Sequence, residues 1–181
     1  MKRSLVLLVS VLTVGLLGPG AAQGAQTRGT FLLLLELPNI AAALNGDHVA
    51  VTGEGEFTVS PKSVTASGEF THTAANGDVV ASGTWTASEL ISFDFYGCRF
   101  IPALGVDTGN DDFCGGALKM AVVLDTPIGG LPAVLTVFCI IGNQAPSSHN
   151  LPDGEGVTLV VPGIINFNHI VQGMNVYIRT S

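Results

Sequence analysis

VAVTGEGEFTV at 49–59, VTASGEFTHTA at 64–74 and VVASGTWTASELISFDF at 79–95 decide the fold. Each run alternates apolar and polar residues, the period of a half-buried strand. In the first, Val49, Val51, Gly53, Gly55, Phe57 and Val59 share one face, and Thr52, Glu54, Glu56 and Thr58 the other. In the second the apolar face is Val64, Ala66, Gly68, Phe70, His72 and Ala74. In the third it runs from Val79 through Ala81, Gly83, Trp85, Ala87, Glu89, Ile91 and Phe93 to Phe95.

Asn45-Gly46-Asp47 and Asn76-Gly77-Asp78 are hairpin turns by composition, and Pro61-Lys62 reads as a third turn. Closing each hairpin on two residues sets Val59 opposite Val64, Phe57 opposite Ala66, Gly55 opposite Gly68 and Gly53 opposite Phe70. It also sets His72 opposite Ala81, Phe70 opposite Gly83, Gly68 opposite Trp85 and Val64 opposite Glu89. A one-residue slip would turn every apolar side chain to the wrong face. The expected inner rows are Gly53, Phe70, Gly83 and Gly55, Gly68, Trp85, each with a ring beside glycines. Such rings cover the surface that a strand glycine leaves open, and the glycines let a sheet coil.

Working outward, Phe31 to Leu37, Ala117 to Asp125, Ala133 to Ile141, Val157 to Val161, Ile164 to His169 and Met174 to Arg179 also read as strands. Asn39 to Leu44 suits one helical turn, and Asn143 to Gly156 a long loop. The expectation is a single all-β antiparallel domain of about eight or nine strands, barrel-like, with a β-sandwich as the alternative.

Ahead of these strands, Lys2 and Arg3 precede an apolar run from Leu5 to Leu17, a Gly18-Pro19-Gly20 break, and small residues to Ala25. That order is a secretory signal peptide over 1–25, with cleavage after Ala22, Gly24 or Ala25, leaving 26–181 as the domain. The run is short of the roughly 20 residues of a membrane span. The expected destination is extracellular or periplasmic.

The net charge is −7, and loss of Lys2 and Arg3 takes it to −9. Nucleic acid, which selects basic stripes, and anionic membrane surfaces are excluded as partners on that ground. No Asn-x-Ser/Thr acceptor occurs. Three cysteines in an oxidising compartment imply one disulfide and one thiol. A hairpin centred near Val106 sets Cys98 and Cys114 at its base, and Cys139, inside an apolar run, reads as a small core residue.

The candidate ligand-binding residues are Phe57, Phe70, His72, Trp85 and Glu89: rings as walls of an apolar pocket, His72 and Glu89 as its polar groups. The pair is separated by four rows and forms no acid/base dyad. The plainer reading leaves the rings in the core, His72 at a solvated sheet end and Glu89 turned outward by a bulge near Ser88. Asp107, Asn110, Asp111 and Asp112 offer oxygen ligands without the spacing of an EF-hand, and read as a solvated acidic loop. Glu54 is expected opposite Glu69, with Glu56 diagonal. The threonine-rich outer face reads as an ordinary exposed sheet.

No nucleophile elbow, zinc-protease helix, phosphate loop or Cys-x-x-Cys occurs, and no catalytic, metal or cofactor residue is assigned. The expected function is an exported, non-enzymatic β-domain that binds a small apolar ligand or a protein partner. The alternatives are a structural protein with a filled core and, further off, an enzyme using His72 or Glu89.

Overall fold

The computed structural model describes residues 28–99, 113–127, 129–147 and 154–181. The signal-peptide reading of 1–25 and the acidic loop at 107–112 lie outside them. Among the described residues there is no α-helix, and nine strands form one antiparallel sheet. They are β1 (Thr30–Ala43), β2 (His48–Thr58), β3 (Ser63–Thr73), β4 (Val79–Arg99), β5 (Phe113–Thr126), β6 (Gly129–Cys139), β7 (Gly156–Val161), β8 (Ile165–Gln172) and β9 (Asn175–Arg179).

Neighbours pair in chain order from β1 to β8, and β8 pairs back to β1, so the hydrogen bonding forms a ring. Barrels and sandwiches bonded across their edges share that arrangement. Along β1 the return partner changes: β9 flanks Phe31–Leu35 and β8 flanks Ile40–Ala43. Both run antiparallel to β1, so they follow one line with a step at Gly173-Met174, where the Glu36 amide donates to the Met174 carbonyl at 2.9 Å. β9 also reaches β5 at Phe113 and Cys114. The turns joining β1–β2, β3–β4, β5–β6 and β7–β8 therefore all lie at one end of the ring.

Cys98 and Cys114 face each other directly across β4 and β5 and form a disulfide. Such a bond suits an oxidising compartment, and no helix among the described residues is long and apolar enough to cross a membrane. Cys139 is a free, buried thiol whose Sγ donates to the Cys114 carbonyl at 3.5 Å. Burial, with the charge of Glu155 second, pushes this thiol up to about 12, so it stays un-ionised and inert.

Four local expectations are corrected. Asn39 to Ala43 is no helical turn; it continues β1 past an irregularity between Leu35 and Asn39 and pairs with β2. Pro61-Lys62 is part of a four-residue loop, 59–62, because the Val59 amide is taken up by the Gly29 carbonyl instead of facing Val64. The β2–β3 register is consequently two residues from the expected one: Phe57 faces Val64, Gly53 faces Gly68, and Glu54 faces Ser67 rather than Glu69. The β3–β4 register holds as expected from His72–Ala81 through Phe70–Gly83 to Gly68–Trp85, but pairing stops at Ser67–Thr86, so Val64 never meets Glu89. Beyond that point the two strands part, and Lys62 Nζ spans the seam by donating to the Ile91 carbonyl at 2.6 Å.

Trp85 lies 1% exposed over the Gly53–Gly68 pair, with its indole N–H donating to the Thr52 carbonyl at 2.8 Å. A methyl group at Gly68 would stand 2.7 Å from the indole nitrogen and against the Thr52 carbonyl, so only glycine admits the ring here. Towards the end opposite the turns the interior is filled with rings. Phe57 stacks on Phe31 at 5.2 Å and meets Phe93 at 4.8 Å and Tyr177 at 5.6 Å. Tyr177, wholly buried, donates its hydroxyl to the Val137 carbonyl at 2.8 Å.

Candidate functional site

At the turn end the ring is not filled. An apolar pocket of about 300 Å³ opens there, walled by residues of seven strands, β2 to β8, and by the β7–β8 turn. That volume is at the small end for ligand sites. The walls are inward residues of the alternation: Val49 from β2, Phe70 from β3, Leu124 from β5, Leu159 and Val161 from β7, and Phe167 from β8. Val80, Ala81, Leu131, Ile164 and Ile165 complete the apolar lining, and only His72 and Thr126 add polar side chains.

His72 comes to the pocket because it follows Phe70 on the inner face by two residues and stands opposite Ala81. Its Nε2 lies 2.8 Å from Asp47 Oδ2, in the β1–β2 turn. An ionised carboxylate only accepts, so Nε2 carries the proton. Asp47 Oδ1 accepts from the Ala75 amide at 3.2 Å, tying the first turn to the third strand's end. The imidazole meets the edge of Phe167 at 5.1 Å. Thr126 donates its hydroxyl to the Gly129 carbonyl at 2.7 Å across the β5–β6 turn.

The hydrogen bond from His72 is the main reason that the Asp47 carboxyl titrates below its ordinary value of 3.8, with bonds from Asn45 and Ala75 adding to it. A depressed carboxyl contributes stability that is present above the unfolded-state pKa and lost as pH falls through the folded one. In an NMR titration the Asp47 carboxyl carbon is therefore expected to turn over below pH 3.8. In His72→Phe the midpoint is expected to move back up; an unmoved midpoint would detach the shift from the imidazole.

The five residues singled out in the sequence are not one site. Phe70 and His72 line the pocket together. Phe57 sits in the aromatic cluster towards the other end, and Trp85 is packed on glycines. Glu89 is exposed, because an extra residue at Ser88 shifts β4 against β5 and turns the carboxylate outward. Asp47, Leu124, Leu159, Val161 and Phe167 carried no signal of a common site, since four separate segments deliver them. Among the described residues no group of three or more His, Cys, Asp or Glu side chains is placed to hold a metal.

A broader groove of about 550 Å³ crosses the outer face of β4 to β7, lined by Ser92, Asp94, Tyr96, Lys119, Thr136 and Thr158 among others. It lies on one face of the sheet, whereas the end pocket is lined by residues of seven strands.

Comparison with protein-family models, with curated proteins and with solved structures finds no match for this chain.

Proposed function

We propose that the protein is an exported, non-enzymatic binding domain that holds a small apolar ligand in the pocket at the turn end of a barrel-like sheet. The single observation that carries this reading is the contrast within one ring of strands. One end is packed with interlocking aromatic rings, while the other leaves about 300 Å³ of apolar space with one histidine at its wall. A protein interior is ordinarily filled to crystal-like density, so a concave apolar space with few polar groups is the usual form of a ligand site. The Cys98–Cys114 disulfide and the leader-like first 25 residues support export. His72 is committed to Asp47 and packs against the Phe167 ring, which supports binding rather than catalysis.

The test is titration with N-phenyl-1-naphthylamine, an uncharged apolar fluorophore. Saturable binding with a blue-shifted emission is the expected result. Ala81, half-buried in the pocket wall, is the position to fill. Ala81→Trp is expected to weaken binding by about tenfold or more, because the added ring occupies the space and displaces apolar contact worth at least 1.4 kcal/mol. Absence of saturable binding, or equal affinity in Ala81→Trp with unchanged circular dichroism, overturns the reading.

A further inference from the structure

The rim of the pocket is itself apolar, and its side chains project from separate turns. Leu44 at the tip of the β1–β2 turn is 99% exposed, Val79 after the β3–β4 turn 65%, and Ile164 in the β7–β8 turn 65%. Val80, also exposed, both stands on the rim and lines the pocket. Large aliphatic side chains held in water on several adjacent tips are uncommon without a covering phase.

The charges are distributed to match. Among the described residues every lysine and arginine lies away from this end: Arg28, Lys62, Arg99 and Arg179 at the opposite end, and Lys119 midway along β5. Asp47 and Asp78 occupy rim turns, and the exposed Asp125 stands beside the β5–β6 turn. A rim with aliphatic tips, three carboxylates and no lysine or arginine among the described residues is not attracted to an anionic surface. Its exposed aliphatic side chains stand on separate turns, whereas a stable protein interface buries roughly 800 Å² per partner. Discrete protruding tips do suit a fluid interface, which closes around each one separately.

We propose that the turn end seats on a neutral, zwitterionic lipid interface, with Leu44, Val79, Val80 and Ile164 entering its apolar layer, and that the pocket receives its apolar ligand there. The second half rests on the ligand-binding reading above; the seating itself does not. The mouth then opens into the phase in which such a ligand is soluble, and transfer needs no passage through water.

The experiment is flotation of the exported protein with phosphatidylcholine vesicles, alongside the naphthylamine titration. Wild type is expected to float with the vesicles. Leu44→Ser/Val79→Ser, which changes two exposed rim residues and none that lines the end pocket, is expected to lower vesicle partitioning by about tenfold or more while leaving naphthylamine binding unchanged. Adding phosphatidylserine to the vesicles is expected to weaken flotation. A wild-type protein that stays at the bottom of the gradient, a double variant that floats equally well, or stronger flotation on anionic vesicles overturns the seating. Flotation without naphthylamine binding would overturn the ligand-binding reading alone and leave the seating in place.

Discussion

Trp85→Ala will lower the free energy of unfolding by about 3–5 kcal/mol, the range for deleting a buried large aromatic side chain. Three losses combine. The indole is 1% exposed, so nearly all of its apolar surface returns to water on unfolding and is absent in the variant. Its N–H is the donor to the Thr52 carbonyl at 2.8 Å, which is left without that partner. The glycines beneath it, Gly53 and Gly68, have no side chains with which to refill the space, so the cavity stays open. Urea denaturation followed by far-ultraviolet circular dichroism measures the difference. Trp85→Phe, which restores ring volume without the donor, is expected to recover more than half of the loss. A cost below about 1 kcal/mol for Trp85→Ala would mean that the ring is not the cover of the glycine row.

Cys98→Ala/Cys114→Ala is expected to cost about 3 kcal/mol, the chain-entropy value for a closed loop of about 15 residues. The two cysteines are separated by 16 in sequence and stand directly opposite in the β4–β5 ladder. Removal of the bond therefore leaves the pairing geometry intact and acts by enlarging the unfolded ensemble. The same denaturation experiment reads the loss as a lower urea midpoint. Cys139 supplies an internal control: buried and un-ionised, it is expected to resist alkylation in both native proteins and to react only on unfolding. An unchanged midpoint would show that the disulfide contributes no net stability; rapid alkylation of native Cys139 would contradict its burial.

The limits of sequence reading are visible in β4. The run 79–95 keeps its odd-numbered residues apolar from end to end, which suggests one unbroken alternation. In the structure Ser88 and Ile91 are each an extra residue against β5. Two single-residue insertions cancel in a period of two, so Phe93 returns to the phase in which Trp85 began. Only the interval between them is inverted, with Glu89 outward and Leu90, 3% exposed, inward. The oddity of a glutamate on an apolar face was the trace of that inversion. The β2–β3 loop misled for a related reason. A shift of two residues preserves which face each side chain occupies, so alternation cannot distinguish Phe57 opposite Val64 from Phe57 opposite Ala66.

By itself the sequence determined what depends on local periodicity and on turn chemistry: antiparallel β structure, the two Asn-Gly hairpins, the inward faces of β2 and β3, the Trp85–Gly68 pairing and the Cys98–Cys114 bridge at the base of a hairpin. Those follow from interactions between neighbours in the chain, and a period of two records them. Only the tertiary structure decided how the ring closes, with β8 and β9 sharing one side of β1, and where its interior stays empty. The pocket joins Val49 to Phe167, and the partner of His72 comes from a turn 25 residues away. Whether space between such residues is filled depends on side chains meeting from opposite walls, a sum over distant segments that no local pattern carries.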